Sequence, residues 1–155
     1  MPFRFTLQTV FHFRQSLERQ QELRLRAANQ QVIRVRHLID QLDRRAEEVR
    51  NSQSQQLQAG TTSAELRFGM LGQVALAQHR AELERELAHL QHVRNEQQKL
   101  FEQQRRQRET LESLREGQLH RYEREAARQE QRNLDDLYLL QRSYDLLQQS
   151  RSRRG

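Results

Sequence analysis

The chain has no cysteine and no tryptophan, and its one proline is Pro2. Without cysteine there is no disulfide framework, no thiol nucleophile and no thiolate metal site. A proline at the second position interrupts no helix. Internal glycine is nearly as scarce, confined to Gly60, Gly69, Gly72 and Gly117. Hydrophobic residues are 34% of the 155, short of the roughly 45–50% apolar usage from which a compact domain builds its core. No apolar run approaches the ~20 residues that cross a bilayer. The opening MPFRFTLQTVFHFR is aromatic and basic but lacks the continuous apolar stretch and small-residue cleavage site of a secretory signal. The expectation is a cytoplasmic protein.

Gln, Arg, Glu, Leu and Ala dominate what remains, and all are strong helix formers. High polarity with almost no breakers fits long helices sharing a narrow apolar seam. Disorder that folds on binding is the competing reading. Net charge is +6, and of the 27 basic residues all but Lys99 are Arg. Such a balance suits acidic partners: nucleic acid, an anionic membrane surface or an acidic protein cavity. The basic residues are interspersed with 21 acidic ones, so most of this charge reads as a solvated helix face laced with ion pairs.

Leu25, Ala28, Val32, Val35, Ile39, Leu42, Ala46 and Val49 follow one another by alternate threes and fours. That is the a/d rhythm of a coiled coil, held for more than three heptads. Upstream it weakens through Leu7, Phe11 and Leu17, diluted by Arg14, Glu18 and Gln21. The stretch LQAGTTSAEL then interrupts the chain. Gly60 fits the left-handed residue that ends a helix. Thr62 and Glu65 form a capping box, in which each side chain bonds the other residue's amide. A stop followed at once by a start makes the flanking helices antiparallel neighbours. For the second helix the apolar pattern suggests a seam through Leu66, Met70, Val74, Ala77, Leu83, Leu87, Leu90, Phe101, Leu111 and Leu114.

The expected fold is all-α: a long antiparallel two-helix coiled coil, a helical hairpin whose second helix overhangs the first. Helix 1 spans about 7–58, the turn 59–62, helix 2 about 63–149, and a basic tail 150–155, in a single hairpin over residues 1–155. Folding about residue 60 sets residue 7 opposite roughly residue 114, so everything after about 115 lacks an intramolecular partner. Yet that part carries Leu119, Tyr122 and Ala126, then Leu134, Leu137, Leu140, Tyr144 and Leu147. A solitary helix with such a stripe is poorly stable in water.

Catalytic parts are missing from the pattern. No glycine-rich loop leads into a Lys-Ser/Thr pair, and Ser and Thr cluster at the turn away from any His–Asp pair. His89 and His92, with Glu86 and Glu96 near, have a spacing that could bind a metal, but solvated histidines on a polar helix are commoner. No enzyme activity, cofactor or metal is expected. Arg105, Arg106 and Arg108 and the tail RSRRG are basic clusters without interleaved aromatic platforms, so nucleic-acid binding is disfavoured.

The opening FRFTLQTVFHFR, the turn AGTTSAEL and the late block LREGQLHRYEREAARQEQRNLDDL occur in this order along nearly the whole chain. Together they resemble the flagellar export stalk family FliJ, with Asp136 where the family commonly has Glu in the closing triplet Leu134-Asp135-Asp136. The resemblance implies a non-enzymatic stalk. It would sit in the hole of the hexameric export ATPase (FliI), promote its assembly and turnover, contact the cytosolic part of the export gate (FlhA) and escort substrate chaperones. It also implies residence at the cytoplasmic face of the inner membrane, held there through partners. The gate surface it implies comprises Phe68, Met70, Leu71, Ala75 and His79. The alternative is that Met70, Leu71 and Val74 pack on the first helix near Gln53 and Leu57. The ring or chaperone surface comprises Arg128, Arg132, Leu134, Asp135, Leu137 and Leu140, whose alternative is self-association. Injectisome stalk proteins share the architecture, and a self-associating coiled-coil adaptor is the rival outside export.

Overall fold

The structure is a computed structural model that describes residues 2–152. Two helices account for nearly all of it: α1, Gln8–Ala59, and α2, Ser63–Ser152. The fold is the expected all-α hairpin. Of the expected basic tail, residues 150–152 continue α2, and residues 153–155 lie outside the described residues. Helix α2 also runs unbroken through Gly117.

The turn is built as its residues dictate. Gly60 has φ 91°, a conformation in which a Cβ would be strained. Thr61 Oγ1 donates to the Gln56 carbonyl at 2.6 Å, satisfying one of the oxygens orphaned at the end of α1. The Thr62 amide donates to Glu65 Oε2 at 3.0 Å, and the Glu65 amide donates to Thr62 Oγ1 at 3.4 Å. Both halves of the capping box are therefore made. Thr62→Ala removes one half and is expected to cost about 1 kcal/mol, read as a lowered urea midpoint with an unchanged slope.

By internal contacts the chain divides into two compact units. One runs Arg14–Arg106, and the other joins residues up to Phe13 with those from Gln107 onward. Inside the first, Gln53 meets Gln73, Asp43 meets Arg80, and Gln21 meets Gln97. Numbers rise along α1 as they fall along α2, so the segments are antiparallel. Leu25, Ala28, Val32, Val35 and Ile39 are buried as the heptad pattern requires, with Val32 the most enclosed side chain. Val35 and Ile39 pack with Leu83, flanked by Leu42, Leu87 and Leu90.

The α2 side of this seam differs from its apolar pattern. Leu66, Met70, Val74 and Ala77 are exposed, whereas Gly69, Gln73, Leu76 and Arg80 are half-buried. The half-buried positions keep four-three spacing into Leu83, Leu87 and Leu90, then through Arg94, Gln97, Phe101 and Gln104. Near the turn the apolar residues sit one position off the true seam. Polar side chains hold the seam there because they find partners across it: Gln73 Nε2 donates to Gln53 Oε1 at 2.5 Å, and Arg80 Nε to Asp43 Oδ1 at 2.6 Å. Gln21 is buried for the same reason, its Nε2 donating to Gln97 Oε1 at 2.5 Å.

Glycine has two distinct uses at the start of α2. A Cβ on Gly69 would clash with Gln53 Nε2, so its bareness lets the Gln53 amide lie across the helix. A Cβ on Gly72 would meet nothing within 4 Å. Gly72→Ala is therefore expected to raise stability by about 0.5–1 kcal/mol, measured by thermal melting.

In the second unit Phe5 and Phe11 are buried. The Arg115 guanidinium lies 5.9 Å from the Phe11 ring centroid, and the Phe3 ring lies 5.7 Å from that of Tyr122. Intramolecular cover thus reaches Tyr122, beyond the expected limit near residue 115. The reason is local: residues before Gln8 are not helical, and a non-helical chain advances up to ~3.3 Å per residue against 1.5 Å in a helix. Every residue of 120–152 is exposed.

Candidate partner-binding surfaces

The first surface belongs to the opening turns of α2. Phe68, Leu71, Ala75 and His79 recur by three or four and so share one face. All four are exposed, Phe68 at 81%. Met70 is also exposed but projects from a different line, together with Val74. Packing on the first helix does not account for Met70, Leu71 and Val74, which are 65%, 68% and 54% exposed. These apolar groups face solvent because the one-residue offset hands the seam to Gly69, Gln73, Leu76 and Arg80. His79 Nδ1 lies 3.8 Å from Glu82 Oε2, an exposed pair that fixes little by itself.

The second surface belongs to the last turns of α2. Arg128, Arg132 and Asp135 recur by four and three on one charged face, and Gln131 Nε2 donates to Asp135 Oδ1 at 3.0 Å. Leu134, Leu137 and Leu140 are each at least 60% exposed, and Tyr144 and Leu147 extend the line from Leu137 and Leu140. Tyr138, Leu139 and Leu146 are equally exposed and were missed by the periodic reading, which follows a single stripe. Leu139 and Leu146, seven apart, form a second line on another side of the helix. The signal was present in the unbroken run Leu137-Tyr138-Leu139-Leu140.

Ion pairs elsewhere range from exposed to half-buried. A hydrogen bond from Arg80, chiefly, holds the Asp43 carboxyl below the ordinary aspartate range, and that bond raises Arg80 in return. Lys99 lowers Glu96 in the same way, by a hydrogen bond at 3.0 Å. Among the described residues no three His, Cys, Asp or Glu side chains are grouped to hold a metal ion, and no helix is long and apolar enough to cross a membrane.

A helical hairpin whose long second helix leaves apolar side chains exposed defines a fold class, the all-α two-helix hairpin. The family described as Flagellar FliJ protein matches residues 3–145, and the chain belongs to that family. It is thereby a component of flagellar type III protein export, within a family of non-catalytic export stalk components. No curated protein and no solved structure matches the chain.

Proposed function

We propose that the chain is the stalk of the flagellar export ATPase ring, promoting the ring's assembly and turnover, coupling it to the export gate and escorting substrate chaperones. The observation that carries this is the last part of α2. Residues 120–152 are exposed throughout, yet Leu134, Leu137, Tyr138, Leu139, Leu140, Tyr144, Leu146 and Leu147 crowd its end. Apolar groups on several sides of one helix favour a socket that surrounds it over a groove that takes one face. Arg128, Arg132 and Asp135 would set register at the rim, where charges steer encounter more than they add affinity. The face of Phe68, Leu71, Ala75 and His79, with Met70 beside it, is assigned to the gate. In this reading the protein works at the cytoplasmic face of the inner membrane and is held there through its partners.

The test is ATP hydrolysis by the purified export ATPase, with and without the chain, over a range of ring concentrations. A stalk shifts assembly to lower ATPase concentration and raises turnover. Identical curves with and without the chain overturn the reading.

A further inference from the structure

Between Asp43–Arg80 and the turn, the seam of the first unit is underfilled. Val35, Ile39 and Leu83 fill the seam further along, whereas Ala46 on the seam of α1 and Ala77 beside the seam of α2 are small. They border a cleft of about 440 Å³ whose other apolar walls are Leu42, Val74 and Leu76. No residue of 40–59 or 61–82 is buried. On the cleft's border lies Arg50, whose Nε donates to the Ala46 carbonyl at 3.4 Å. Its charge helps Arg80 lower the Asp43 carboxyl, but among the described residues it makes no direct ion pair. Arg80, also on the border, is already committed to Asp43 and Glu84.

We propose that this cleft docks an acidic amphipathic helix of a partner protein. The occupant's chemistry follows from the walls. The apolar walls take a large aliphatic or aromatic side chain, and Arg50 takes a carboxylate about one turn away on the same face. The backbone on both sides is helical, so its amides and carbonyls are already used. An extended peptide would find no edge to pair with, whereas a helix satisfies its own backbone and brings only side chains. A third helix laid between the two completes the packing that Ala46 and Ala77 leave open. This site uses no residue of the two surfaces assigned to export, so it stands or falls apart from that assignment.

The experiment uses the full chain and a fluorescein-labelled helical peptide of leucine and glutamate at amphipathic spacing, followed by fluorescence anisotropy. Wild type binds this peptide better than its lysine-for-glutamate counterpart. Ala77→Leu fills the cleft from within and weakens binding by about tenfold or more, with a melting temperature no lower than wild type. Arg50→Glu lies on the exposed rim, leaves folding intact, weakens the acidic peptide several-fold and reverses the preference toward the lysine peptide. Undiminished binding to Ala77→Leu would mean capture by the exposed stripes of α2, and would overturn the proposal. So would equal binding of the two peptides by wild type, or an Arg50→Glu variant that keeps the original preference.

Discussion

Val32→Asp is expected to unfold the protein. Val32 is 2% exposed, the most enclosed side chain among the described residues, at the middle of the run from Leu25 to Ile39. A carboxylate there leaves water without a cation on the same seam stretch, since Ala28, Val35 and Ile39 flank it. The cost has two parts, the lost apolar burial and the unpaired charge, together about 4 kcal/mol or more. Against a total stability that rarely exceeds ~5–15 kcal/mol, and with few other buried side chains, that removes most of the margin. The measurement is helical circular dichroism against temperature and urea. Ile33 supplies the control, being the next residue but 63% exposed. Ile33→Asp should cost no more than about 1 kcal/mol, because only helix propensity and a little partial burial change. Equal destabilisation by the two substitutions would show that the seam does not run where it is described.

Leu137→Ser combined with Leu140→Ser is expected to abolish the response of the export ATPase while leaving the isolated chain's melt unchanged. Both leucines are more than 60% exposed and lose no intramolecular packing when truncated. In a socket the same leucines would be desolvated anchors, for which truncation costs about 2 kcal/mol or more each. Two such losses move the concentration of chain needed for activation by about three decades. Arg128→Ala tests the rim instead and should shift activation only a few-fold, with an altered dependence on salt. If the double leucine variant activates the ATPase like wild type, the last turns of α2 are not the ring-binding element.

Much of this fold was legible because α1 and the turn write their rules in single letters. Gly60, Thr62 and Glu65 name a stop and a start, and the run from Leu25 to Ile39 keeps its period without a polar interruption. Helix α2 was harder to read. A search for apolar periodicity selects Leu66, Met70, Val74 and Ala77, but the seam there is Gly69, Gln73, Leu76 and Arg80. Hydropathy cannot register a polar side chain that earns its place by a bond across the helices, as Gln73 does with Gln53 and Arg80 with Asp43. The misplaced seam had a consequence for the site, since it cast Met70 and Val74 as core when they are surface. Phe5 was invisible for a different reason. It precedes the helix, so no helical period includes it, and its burial depends on the non-helical path before Gln8. At the far end the exposed leucines were named from their spacing, whereas Leu139 and Leu146 fell outside the one stripe that spacing describes.

Burial that stops well short of the last turns of α2 also gives the protein an uneven clock. Backbone amides open to solvent at rates set by the local packing above them. Those of residues 35–42 and 83–90 sit under the apolar cluster of Val35, Ile39 and Leu83 and will exchange their hydrogens last. Those of 127–152, past the contact of Tyr122 with Phe3, are exposed on their helix and will exchange orders of magnitude sooner. A partner that encloses the last turns of α2 would slow that second group and leave the first untouched, so the contact can be timed residue by residue.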